Sequence, residues 1–167
     1  MVLVATTTAA LLFPVEAQTS ARRPNELYTA FSKAHAALHT AGLEPLYAPQ
    51  ATYLPRSARF AIQTRNEILR RERASHDMMR ANGGSIQLKF RVSDRKQFGD
   101  LVVDNGYMRS AIRRSKSDPV IETTSKFILV MARQKDGRWA LVSDADSDAP
   151  AEAYDELRPV GGHQYDR

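Results

Sequence analysis

The chain has 167 residues, 43% of them apolar and 26% charged, with a formal net charge of +5 and no cysteine. One domain with a real core suits this length, no apolar run is long enough to span a bilayer, and disulfides, thiolate metal sites and a cysteine nucleophile are excluded. The basic excess raises the question of a nucleic-acid partner, but the positive residues collect on one helix and at one strand end (Arg113, Arg114, Lys116) without the interleaved aromatics of a stacking platform, so none is expected.

Residues 1–21 read as a leader. An apolar run ends at Phe13, Pro14 follows, and small residues stand at Val15 and Ala17, where a signal peptidase cuts. Export to a periplasmic or secreted location is the expectation; a disordered leader is the alternative, because no Lys or Arg precedes the run. The spacing of Leu27, Phe31, Ala34, Leu38 and Ala41 predicts an amphipathic helix over Glu26–Ala41 ended by Gly42, then a short helix over Leu43–Tyr47 stopped by Pro49. Ala51–Leu54 is β-prone and ends at Pro55. Thr64 and Glu67 are spaced as a capping box, so a long helix is predicted from Arg65 to Ala81, closed by Asn82-Gly83-Gly84.

The period then changes from helical to alternating. Ile86, Leu88, Phe90 and Val92 alternate with Gln87, Lys89, Arg91 and Ser93, as in a strand with one buried face. Three further strands are predicted over Asp100–Arg114, Val120–Arg133 and Arg138–Ser143, the last two joined by a hairpin at Lys135-Asp136-Gly137. Beyond Ala149 a short helix over Ala151–Leu157 and a tail are expected.

Helices first and strands after give an α+β class with the helices on one face of an antiparallel sheet. The stretches LYAPQATYLP (residues 46–55), GDLVVDNGY (99–107) and SKFILVMARQKDGRW (125–139) resemble three successive motifs of the SnoaL-like/DUF4440 branch of the NTF2-like superfamily. The resemblance implies a domain over residues 22–148: a cone in which a strongly curved sheet wraps two or three N-terminal helices around an apolar pocket, often paired with a second copy through the sheet. It also decides how Asn105-Gly106 is read. That pair is a strong hairpin signal, but in the resembled proteins the glycine lies inside one continuous strand, so a bulge at Gly106 is expected.

Candidate site residues follow from what could face such a pocket. Glu72 and His76 lie four apart on one side of the long helix and could relay a proton; a partly exposed ion pair is the simpler reading. His35 flanks the apolar stripe of the first helix, and Tyr53, Tyr107 and Arg109 could supply hydroxyl or guanidinium donors. Asp144 shares a strand face with Asp146, and period 2 leaves open whether that face lines the pocket. Trp139 reads as packing. The acid and oxyanion donors of ketosteroid isomerases are not expected: Ala34, Leu54 and Pro55 stand near the equivalent positions. Four scattered histidines give no metal-ligand spacing, so neither metal nor other cofactor is expected. The reading is an exported domain that binds a small, largely apolar molecule and forms a homodimer, with a SnoaL-like cyclase, isomerase or dehydratase and a structural association module as alternatives. N-terminal sequencing of the protein from its source should begin at Gln18; an intact Met1 would remove the export expectation.

Overall fold

The computed structural model describes residues 23–57 and 59–165, and the leader lies outside the described residues. Helix α1 (Pro24–Ala36) starts at a proline, whose missing N–H is harmless in a first turn, and buries Leu27, Tyr28, Ala34 and His35. It stops before the Ala41 that apolar spacing predicts, because Leu38 turns left-handed at φ 50°. The N–H groups of Leu38 and His39 reach back to the carbonyls of His35 and Ala34, each at 2.9 Å, a Schellman closure usually built on glycine. The strain of about 1–2 kcal/mol is offset by burial of the Leu38 side chain with Met79 and Ile86. Two 3-10 turns, Thr40–Gly42 and Glu44–Leu46, replace the expected second helix, since the chain is already extended at Tyr47.

Strands β1 (Tyr47–Leu54) and β2 (Gln63–Thr64) lead into helix α2 (Arg65–Asn82), which keeps nearly the predicted limits. The Glu67 carboxylate accepts from the Thr64 N–H at 2.8 Å and from its hydroxyl at 2.7 Å, and Gly83 closes the helix at φ 67°. The remaining elements are β3 (Ser85–Phe98), β4 (Leu101–Arg113), β5 (Ile121–Arg133), β6 (Trp139–Asp148), α3 (Ala151–Glu156) and β7 (Gln164–Tyr165). The strands form one sheet in the order β2-β1-β6-β5-β4-β3-β7. The α+β class holds, but the sheet is mixed rather than wholly antiparallel: β1 runs parallel to β6, and because the two are far apart in sequence no hairpin dictates their direction.

No turn forms at Asn105-Gly106. Strand β4 runs through it, paired with β3 and β5 on both sides, and the hairpin lies at Gly99-Asp100. The bulge expected at Gly106 sits across from it, on β3: pairing passes from Val92↔Gly106 to Asp94↔Asn105, leaving Ser93 as the extra residue. A Cβ on Gly106 would stand 2.2 Å from the Arg91 carbonyl oxygen and 2.7 Å from Phe127 Cζ. Close approach, not an unusual backbone angle, demands glycine here.

The segment beyond Ala149, read from sequence as a helix and a tail, returns to the sheet. Tyr154 of α3 lies under the guanidinium groups of Arg91 and Arg109, at 4.4 and 4.5 Å. Strand β7 pairs with β3, and its Tyr165 stacks on Tyr28 with ring centres 4.5 Å apart. Tyr28 in turn donates to the fully buried Asp104 at 2.7 Å, whose two oxygens also accept from Arg95 at 2.7 and 2.6 Å. This network pins α1 across the hollow of the sheet.

Gly106→Ala should cost about 3 kcal/mol in urea unfolding, as overpacking against backbone cannot relax. Gly99→Ala, whose Cβ would meet nothing within 4 Å, should cost only the left-handed strain of about 1–2 kcal/mol. Equal losses would show that the contact at Gly106 does not limit the fold.

Candidate functional site in the cone

The helices and the concave side of the sheet enclose a cavity of about 240 Å³. Leu27 and Phe31 of α1, Phe90, Met108, Phe127 and Leu129 of the sheet give it apolar walls. One end is polar: His35, Tyr47, Tyr53, Arg71, Glu72, Asp144 and Asp146 face it, with Arg56 at its rim.

The two acids of β6 reach the cavity through a second bulge. Pairing with β5 passes from Met131↔Leu141 to Val130↔Ser143, so Val142 is extra. The extra residue reverses the alternation: Leu141 faces inward, and beyond the bulge Asp144 and Asp146 do too. Asp146 accepts the Tyr53 hydroxyl at 2.6 Å, with Arg56 Nε 3.7 Å away. Burial and this bond push the Tyr53 phenol well up. Asp144 has no hydrogen-bond partner among the described residues. Burial first, then the neighbouring charges of Asp146 and Glu72 working against Arg71, push its carboxyl up to about 7. Arg71 reaches Glu72 Oε1 at 2.6 Å and Gln63 Oε1 at 2.6 Å, and its guanidinium lies 4.7 Å over the Tyr53 ring.

Beside this acidic end three residues meet from two helices. His35 Nδ1 lies 3.1 Å from His76 Nε2 and 4.0 Å from Glu72 Oε2, and Thr40 Oγ1 lies 2.9 Å from His76 Nδ1. His76 is fully buried, and burial pushes the His35 imidazole down to about 4 against the pull of Glu72. Sequence spacing gave no reason to expect a metal-ligand group; the fold assembles two histidines and a carboxylate whose ligand atoms all lie within 4.8 Å of one another.

Of the residues expected from sequence, His35, Tyr53, Glu72 and Asp144 line the cavity, and His76 stands behind His35. Tyr107 and Arg109 do not. On β4 the inward residues are Met108, Ser110 and Ile112, and alternation puts Tyr107 and Arg109 on the opposite face. There Arg109 holds Asp155 of α3 at 2.8 and 3.0 Å. Arg71 and Tyr47 went unread. Arg71 is one residue from Glu72, a spacing that on a helix does not predict contact, and Tyr47 was assigned to the helical segment rather than the strand.

No protein-family model and no curated protein matches the chain. Solved structures do. A conserved protein from Planctomyces limnophilus superposes with a TM-score of 0.66 at 13% identity, over 75% of this chain and 92% of its own. A proposed dehydratase of the NTF2-like family from Streptomyces avermitilis gives 0.59 at 19% identity, over 75% and 93%. The fold is NTF2-like. A proposed calcium/calmodulin-dependent protein kinase II association domain from Xanthomonas campestris shares it, with a TM-score of 0.58 at 18% identity over 90% of this chain and 99% of its own. At these identities the likeness concerns the NTF2-like fold and not the residues in the cone.

The Asp144 shift has a sign that can be checked. Its proton is lost near pH 4 in the unfolded chain and near pH 7 in the folded one, so across that window the folded state binds more protons and stability falls as pH rises. Asp144 should contribute a decline of about 3 kcal/mol between pH 4 and 7, measured by urea unfolding at several pH values. Asp144→Asn should remove that component; an unchanged slope would show that Asp144 ionises normally.

Proposed function

We propose that the cone takes up a small, largely apolar molecule carrying one oxygen function, and that Asp144 exchanges a proton with that end of it. The observation that carries this reading is a carboxyl poised near neutrality, without a hydrogen-bond partner among the described residues, at the polar end of an apolar cavity. An acid–base group works best when its pKa lies near the operating pH. Tyr53, already bonded to Asp146, is a hydroxyl close by that could orient the ligand oxygen. A dehydratase, cyclase or isomerase reaction needs such a proton transfer, and the Streptomyces avermitilis neighbour is named as a dehydratase in proposal. The leader supports a periplasmic or secreted setting for this activity. Among the described residues no helix is long and apolar enough to cross a membrane.

Association with a second copy is part of the same proposal. Ile128 stands half exposed at the middle of the central strand β5, on the face turned from the cavity, where a second sheet would cover it.

Native mass spectrometry of protein purified from its source reads both points. The expected result is a dimer mass with a retained small molecule, and a Met108→Trp variant that fills the cavity and loses that molecule. Incubating the recovered molecule with the protein should convert it or load it with solvent deuterium, and Asp144→Asn should slow this by about 10²–10⁴-fold while still binding. Retention without turnover would make the chain a binder alone, and no retention at all would overturn the cavity as a binding site.

A further inference from the structure

We propose that His35, Glu72 and His76 form a binding site for a divalent first-row transition metal, with Zn(II) or Fe(II) as the ions this donor set suits, opening on the cavity. The site is separate from the proton exchange assigned to Asp144 and does not depend on it.

Two imidazole nitrogens and one carboxylate oxygen are a donor set these ions take with positions left over for other ligands. Ions held about 2.0–2.2 Å from each donor need donor atoms roughly 3–4 Å apart. His35 Nδ1 and His76 Nε2 are 3.1 Å apart, and His35 Nδ1 and Glu72 Oε2 4.0 Å apart. Binding requires the proton shared by the two imidazole nitrogens to leave and the rings and the Glu72 carboxylate to turn toward one point, since all three ligand atoms already lie within 4.8 Å of one another. The two histidines are held on different helices, α1 and α2, and both are buried, so the pair is positioned by packing of the helices rather than by a flexible loop.

The surroundings are those of a metal site. Thr40 Oγ1, 2.9 Å from His76 Nδ1, can accept a hydrogen bond from Nδ1–H, which leaves the Nε2 lone pair directed at the site. Arg71 holds the other oxygen of Glu72 at 2.6 Å and so fixes the carboxylate with Oε2 turned to His35. Supporting bonds of this kind orient ligands and raise metal affinity. A buried pair of neutral imidazoles sharing one hydrogen bond would also explain the 3.1 Å contact, but not the carboxylate beside it with one oxygen held back by an arginine. His35 and Glu72 line the cavity whereas His76 stands behind them, so the free coordination positions face the cavity, within reach of a ligand's carbonyl or hydroxyl oxygen. Asp146 at the same end contributes negative potential, set against the positive charge of Arg56 and Arg71.

The test uses the whole protein, stripped with a chelator and titrated with Co(II) or Zn(II) alone. Wild type should bind one equivalent, show the visible d–d bands of a low-coordinate nitrogen- and oxygen-ligated Co(II), and unfold at a higher temperature once loaded. His35→Gln and Glu72→Gln should each weaken binding by about 100-fold or more, and Thr40→Val, acting only through His76, by about 10-fold. His39→Ala, an exposed histidine, should bind as wild type does. Binding lost in His39→Ala, or kept in both His35→Gln and Glu72→Gln, would overturn the assignment as adventitious surface uptake. Where a variant fails to fold, the wild-type spectrum decides: the spectrum of hydrated Co(II), or no uptake and no thermal shift, also overturns it.

Discussion

The sheet can close over the helices because the Arg91 carbonyl fits against a residue with no side chain. At Gly106 any Cβ would meet that oxygen and the Phe127 ring. Opposite it, Ser93 puts an extra residue into β3 and bends the strand. The long central strands thereby curve instead of running flat. The inner side of that curve holds Phe90 and Phe127, whose rings pack against each other at 5.9 Å and against Tyr28 of α1 at 5.2 and 6.2 Å. Curvature therefore creates both the seat for α1 and the hollow beside it, and the walls of the cavity are the same apolar residues that hold the fold together.

Two inward aspartates, Asp104 and Asp144, stand in opposite surroundings. Asp104 is fully buried, yet its oxygens accept from Tyr28 and twice from Arg95, so the charge is compensated and the group serves packing. Asp144 sits at the cavity end beside Asp146, Glu72 and Arg71, with no hydrogen-bond donor among the described residues, an arrangement that costs free energy when its carboxyl is charged. The bulge at Val142 is the device that makes this arrangement possible, since without it the alternation along β6 would turn Asp144 away from the cavity.

Long periodic segments were legible in the sequence: α2 with its Thr64–Glu67 start and Gly83 end, the inward alternation of β3, and the turn at Gly137, which takes φ 81°. The motifs at residues 46–55, 99–107 and 125–139 identified the NTF2-like fold even where local propensity at Asn105-Gly106 pointed to a hairpin. Boundaries set by tertiary packing were not legible. Burial of Leu38 ended α1 early against its apolar spacing. Period 2 gives two faces without saying which is concave, and so Tyr107 and Arg109 were offered as pocket donors although they lie on the opposite face, where Arg109 serves α3. The meeting of His35 with His76 depends on how two helices cross, information carried by no spacing within either.

The polar end of the cone is built from parts remote in sequence. Tyr53 and Asp146, joined at 2.6 Å, are 93 residues apart, on the two strands that run parallel. His35 and His76 are separated by 41. Closing loops of that length costs chain entropy before any contact repays it, and non-local pairings of this kind raise contact order and slow folding. The site exists only where both distant pairings are made. Anything bound in the cone is bound by the complete native state alone, and its binding free energy holds the whole molecule against unfolding rather than tightening one loop.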